Sequence, residues 1–231
     1  MGNCVVVIAI DPGLTGGISV LDKNKEMIVC KMPVKPIVVN KKKKNTYDMV
    51  EIIKLFSSYK DKKVLFFIEK QGVRRGEGSV SAMTIGKNYG QLLGAAYAFN
   101  FDVVEVTPQK WKKQFPELVT QGIIDKKAEI KELRISFKEE LEKLVVLGKT
   151  LKDKGLKKQN KEQIKILEKE SKKQIDKINR QVKAEAKTNA RELVMHLYPK
   201  MADKFVKKNT DGLSESVLIA LYGKENQNEL V

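Results

Sequence analysis

The sequence predicts an α/β protein, a mixed five-stranded sheet flanked by helices, with a long α-helical hairpin inserted into it. Three observations point there. Residues 4–10 (CVVVIAI) and 64–68 (VLFFI) are unbroken β-branched and aromatic runs, the pattern of strands buried on both faces. Short turns join the first run to two further strand-like stretches, which makes an antiparallel meander. Residues 121–190 then change character: they hold no proline, one aromatic (Phe137), and 20 Lys+Arg against 12 Asp+Glu.

The elements follow in order. Gly13, Gly16 and Gly17 turn the chain after the first strand, Ile18–Leu21 extends again, and Glu26–Met32 is a third strand after the turn at 22–25. Pro33 and Pro36 break the pattern and Lys41–Lys44 reads as a basic loop. Asn45 or Thr46 is expected to cap a helix running to Ser58, with Met49, Ile52, Ile53 and Phe56 at helical spacing. The fourth strand ends at Glu69, a Gly- and Arg-bearing loop (72–78) leads into a helix over 79–99, and Val103–Val106 is the fifth strand. In the insertion, Ile130, Leu133, Phe137, Leu141, Leu144, Leu147 and Leu151 form one apolar seam. Ile164, Leu167, Ser171, Ile175, Ile178 and Val182 form another, and the two predict an antiparallel pair of long helices. A helix regaining a globular face at Leu193, Val194 and Leu197, with His196 packed among them, stops before Pro199; a last helix covers 211–222. The division expected is one α/β domain from 1–120 and 186–231, and a basic hairpin from 121–185.

Lys+Arg exceed Asp+Glu by 45 to 29, a net charge of +16, which calls for a polyanionic partner. No apolar run approaches the roughly 18–20 residues that span a bilayer, so no membrane is expected. The two cysteines, Cys4 and Cys30, lie in strand-like runs without metal spacing and read as buried reduced thiols of a cytoplasmic protein.

Acidic residues stand at the ends of apolar runs. Asp11 closes the first strand, Glu69 closes the fourth, and Asp211 and Glu215 open the last helix, where a spacing of four puts them on one face. Converging carboxylates without basic partners repel one another, and an all-oxygen set selects a hard cation such as Mg²⁺ or Mn²⁺. On a basic chain this suggests two-metal phosphodiester hydrolysis. For Asp211 alone, before Gly212, an N-cap is the competing reading.

At this point the sequence resembles a known family. Ile10-Asp11-Pro12-Gly13 with Thr15-Gly16-Gly17 is similar to the first motif of RuvC-type Holliday-junction resolvases, especially the phage-like branch. Phe67-Ile68-Glu69-Lys70 resembles the second acidic motif, followed by Gly86, Tyr89-Gly90 and Gly94, then by Thr107-Pro108 with Trp111-Lys112-Lys113. Asp211-Gly212-Leu213-Ser214-Glu215-Ser216 and Leu218–Gly223 complete the series in order. The chain departs from the family in the wider Asp211–Glu215 spacing, in ending that pair with Glu, and in carrying Gly72-Val73-Arg74-Arg75 where some relatives have an aromatic.

The resemblance implies an RNase H-like nuclease domain and a homodimer with two active sites. It also implies Mg²⁺-dependent paired nicking of four-way DNA junctions, with two ions per site, Mn²⁺ as a substitute, and Asp11, Glu69, Asp211 and Glu215 as catalytic ligands. The setting it implies is the cytoplasm of a bacterial or phage-infected host cell. Arg74, Arg75, Lys87, Lys110, Lys112 and Lys113 are the expected DNA contacts from this reading, since guanidinium and ammonium groups suit phosphate. Lys187 resembles a family lysine near the scissile phosphate, and Trp111 reads as a buried anchor of its loop. An RNase H-like nuclease acting on another branched DNA or on an RNA–DNA hybrid uses the same acids and is the alternative. The Asp11–Gly17 turn also resembles the phosphate loop of the actin and sugar-kinase superfamily, but 231 residues cannot supply the second domain such proteins need.

Overall fold

The computed structural model describes residues 5–227 except 23, 25, 40, 74 and 75; Cys4, Arg74 and Arg75 lie outside it. The chain divides into two compact units, Met1–Leu118 with Ala190–Val231, and Val119–Asn189.

The first unit is built on five strands: β1 (Val5–Asp11), β2 (Gly17–Leu21), β3 (Met27–Lys31), β6 (Lys63–Glu69) and β7 (Asp102–Val106). Their order is β3-β2-β1-β6-β7. β1, β2 and β3 pair antiparallel, whereas β1–β6 and β6–β7 pair parallel. This is the RNase H-like arrangement, and the apolar runs explain it: β1 and β6 are central and covered on both sides.

Alternation along the strands assigns the two faces. Val7, Ala9, Leu65 and Phe67 join one core with Leu213, Val217, Leu218 and Trp111; Val6, Ile8, Ile10, Val64, Phe66 and Ile68 join the other with Ile52, Phe56 and Leu92. Helix α6 (Asp211–Glu225) therefore covers the first face, while α1 (Met49–Ser57) and α2 (Ser79–Ala98) cover the second. Contact between α6 and the sheet is close because glycines meet. A Cβ on Gly212 would fall 2.5 Å from the Cα of Gly16, and one on Gly17 would fall 2.6 Å from the Cα of Leu213. Buried Ser19 and Ser216 join the layers by a 2.7 Å hydrogen bond between hydroxyls.

Residues 34–47 differ from expectation. They form a separate two-stranded ribbon, β4 (Val34–Val39) antiparallel to β5 (Lys42–Tyr47), rather than a basic loop and the start of a helix. In a ribbon both strands are edges, so Pro36 is tolerated. α1 consequently starts later, with Asp48 rather than Asn45 or Thr46 at its N-cap. His196 also differs: it is exposed, on the side of its helix away from buried Val194. Cys30 is a half-buried free thiol whose pKa burial pushes up.

The second unit is a helical hairpin of α4 (Gln121–Thr150) and the greater part of α5 (Lys154–Leu197). Ile123, Ile130, Leu167 and Ile178 are its buried seam. Antiparallel pairing is marked at the open end by Lys126, whose Nζ lies 2.6 Å from Glu185 Oε2, and by Thr120 donating to the same carboxylate. Towards the closed end, Asn160 Nδ2 donates to the Leu144 carbonyl at 3.1 Å. Gly148 holds the seam position there against Asn160, and Leu147 is exposed, because the period steps from Leu144 to 148.

Candidate active site

The parallel register brings two acids together. Ile10 pairs with Ile68, so Asp11 and Glu69 end neighbouring strands side by side. Both continue the odd-numbered face, and they therefore stand on the side of the sheet that α6 covers.

Asp11 meets the first turn of that helix directly: a Cβ on Gly212 would fall 2.6 Å from Asp11 Oδ2. Tyr47, only 3% exposed at the root of the ribbon, lies beside it. Burial pushes the Tyr47 hydroxyl pKa up to about 12, with the Asp11 charge adding and a hydrogen bond with the Gly13 backbone opposing.

Glu69, Glu215 and Asp211 each have a partner that brings a positive charge or an N–H, contrary to the expectation of unpaired carboxylates. Glu69 Oε2 accepts from Trp111 Nε1 at 2.8 Å. Burial raises the Glu69 pKa, Trp111 opposes that, the charge of Glu215 raises it further and Lys112 lowers it. Glu215 Oε1 accepts from Lys112 Nζ at 2.8 Å. Asp211, the first helical residue of α6, is ion-paired with Arg191, whose side chain is only 10% exposed. Thr210 occupies the N-cap position, so Asp211 is not the cap.

Trp111 and Lys112 come from one short helix, α3 (Pro108–Lys112), capped by Thr107, whose hydroxyl accepts from the Lys110 N–H at 3.3 Å. Trp111 is wholly buried, and the Lys112 ammonium lies 4.8 Å from its ring centroid. A single turn thus holds both glutamates. The sequence predicts Trp111 as an anchor only; its indole N–H is the feature that periodicity does not reveal. Sequence reasoning misses Arg191 for a related reason, although an arginine one residue after buried Ala190 and three before buried Val194 is a usable signal.

Outward from Glu69 opens a polar cleft of about 480 Å³, lined also by Lys70, Gln71, Glu77 and Gln109. Of the expected DNA contacts in this unit, Lys87, Lys110 and Lys113 are exposed, and Lys112 is engaged by Glu215. Lys187 is exposed in the other unit, and Arg74 and Arg75 are outside the described residues.

The donor chemistry fits a hard divalent cation, since every candidate ligand is a carboxylate oxygen. Among the described residues, however, no three acidic, histidine or cysteine side chains are gathered tightly enough to hold one ion. No helix among the described residues is long and apolar enough to cross a membrane.

No protein-family model matches the chain, and no curated protein matches it. Among solved structures it is similar to Thermus thermophilus RuvC in complex with Holliday junction substrate, at 14% identity and a TM-score of 0.32 over 47% of this chain and 68% of that one. It is also similar to a second Thermus thermophilus RuvC structure, at 17% identity and a TM-score of 0.30 over 47% of this chain and 67% of that one.

Proposed function

We propose that this chain is a divalent-metal-dependent, structure-selective endodeoxyribonuclease that resolves four-way DNA junctions by paired nicking, as a homodimeric member of the phage-like RuvC branch. Residues 1–120 and 186–231 are its nuclease domain and 121–185 its basic arm, acting in the cytoplasm of a bacterial or phage-infected host cell. One observation carries the reading. Two acids end adjacent parallel strands on the face where a helix opens with two more, and motif blocks similar to the resolvases fall in order around them.

Asp11, Glu69, Asp211 and Glu215 would hold Mg²⁺ or Mn²⁺, two ions per site. Bound there, the ions supply charge neutralisation at the attacking and leaving oxygens of an in-line displacement. The chain's own residues do the rest. Trp111 fixes one oxygen of Glu69 and leaves the other for a ligand. Lys112 and Arg191 offset the charges of Glu215 and Asp211, and with a cation held by those carboxylates both side chains would be available to phosphate. Lys87, Lys110, Lys113 and Lys187, with Arg74 and Arg75, supply sequence-independent affinity. The products expected are a 5′-phosphate and a 3′-hydroxyl.

The test compares a mobile four-way junction, a flap, an RNA–DNA hybrid and a linear duplex, each with Mg²⁺, using the native chain and Asp11→Asn. The junction should be nicked in symmetric pairs by the native chain only, while the variant binds it with unchanged affinity. Preferred cutting of the hybrid or flap would move the assignment to another RNase H-like nuclease. Full activity in the variant would overturn the site.

A further inference from the structure

The β4–β5 ribbon is absorbed neither by the fold nor by the acidic site. It pairs with no strand of the main sheet. Ten of its twelve strand residues are exposed, including Val38 at 70%. An isolated two-stranded hairpin is marginal in water, so something outside it must account for its shape.

Its charge is one-signed. Residues 27–47 contain six lysines (Lys31, Lys35 and Lys41–Lys44) and no Asp or Glu. Lys35 pairs with Asp48 at 3.6 Å, whereas Lys41–Lys44 make no ion pair among the described residues. Such adjacent like charges repel, and a polyanion relieves that cost. Register places Lys42 and Lys44 on one face with Val39 and Ile37, and Lys43 on the other with Val38. Both faces are thus apolar along the middle with a lysine on the β5 side.

The root of the ribbon is fastened to the candidate site. The Met32 N–H donates to the Gly16 carbonyl at 3.0 Å and the Asp48 N–H to the Pro33 carbonyl at 2.9 Å. Tyr47, the last residue of β5, is buried beside Asp11 and Gly13. From there six residues per strand reach about 20 Å outward.

We propose that the β4–β5 ribbon docks in the major groove of the duplex next to the reacting strand, with Lys42, Lys43 and Lys44 on its phosphates. The groove of B-DNA, about 12 Å wide, admits a two-stranded ribbon. The proposal deepens the nuclease reading and rests on it for the partner. A rooted ribbon sets how far the held duplex lies from Asp11, which the scattered surface lysines cannot do.

The experiment is a fluorescence-anisotropy titration of a labelled four-way junction and a linear duplex at several salt concentrations, with Ca²⁺ in place of Mg²⁺. One variant carries Lys42→Thr, Lys43→Thr and Lys44→Thr, because threonine suits a strand better than lysine and keeps the ribbon folded. A control carries Lys60→Thr, Lys62→Thr and Lys63→Thr, exposed lysines at the opposite end of β6 from Glu69. The slope of log affinity against log salt should become shallower by about 2–3 in the ribbon variant, since each phosphate left without its lysine removes ~0.9. The control should keep the native slope, and both should keep the native melting temperature. A native slope in the ribbon variant, or equal losses in both, overturns the proposal while leaving the nuclease reading in place. Native protein without salt-dependent DNA affinity overturns the nucleic-acid reading itself. Ribbon-dependent binding to phosphatidylserine vesicles but not to DNA would replace the partner with a membrane surface.

Discussion

Asp211 and Arg191 form an ion pair with side chains only 20% and 10% exposed. Breaking a pair so placed is costly: removing one partner takes a counter-charge away from the other where solvent replaces it poorly, at a cost of about 3–5 kcal/mol. Arg191→Ala should therefore lower the melting temperature by roughly 6–12 °C, taking about 3 kcal/mol for a pair that keeps some solvent. Millimolar Mg²⁺ should then raise the melting temperature of the variant more than that of the native chain, because the guanidinium no longer competes with a cation for the Asp211 carboxylate. Equal Mg²⁺ responses would place Asp211 away from any cation site. Glu69 shows the opposite electrostatics. Burial, its largest influence, raises its pKa above the ordinary 4.5, so the folded state favours the protonated form. Its favourable contribution is complete below the ordinary value and is lost as pH rises through the raised one. Glu69→Gln, which cannot ionise, should accordingly melt higher than the native chain at pH 8 in EDTA and equally at pH 4. Thermal melts at the two pH values check the sign; an equal melting temperature at pH 8 would mean the carboxylate is not disfavoured.

At the level of elements, what can be read in advance follows burial. β1 and β6 are buried over their five middle residues, so composition alone marks them, and an acid after each apolar run stands out by contrast. The antiparallel helices are equally readable, since their seam recurs at a fixed period. The β4–β5 ribbon is not. Its residues answer to no core, lysine and asparagine have low strand preference, and Pro36 argues against a strand unless that strand is an edge. The partners of the acids are hidden for a different reason. Arg191 and Asp211 lie 20 positions apart, and Lys112 and Glu215 lie 103 apart, on elements brought together only by the packing of α6 against the sheet. Charge spacing along one helix can be read from sequence; charge pairing between elements cannot. Hence the placement of the four acids at two strand ends and a helix start is legible in the sequence, and the premise that they lack basic partners is not upheld.

For the whole molecule, the boundary between the units falls inside a continuous helix. α5 contributes Ala190 and Val194 to the core of the first unit, while its earlier turns belong to the hairpin. The two parts have different stabilities to lose. The first unit buries two cores on either side of its sheet, and the hairpin buries only a narrow seam, with Ile135, Val145, Val146 and Ile166 left exposed. Replacing residues 119–189 by a short Gly/Ser linker, with Ala190 and Arg191 retained, should therefore leave a cooperatively folding first unit. Its melting temperature should lie within a few degrees of the native one. The excised stretch carries a surplus of positive charge, so junction affinity should fall and its salt dependence should flatten, by ~0.9 in slope for each phosphate no longer neutralised. Sedimentation separates two causes of that fall. A truncated chain that remains a dimer with a shallower salt slope assigns the hairpin to DNA binding. One that sediments as a monomer assigns it to the dimer. Native affinity, native slope and an intact dimer together would exclude both roles for residues 121–185.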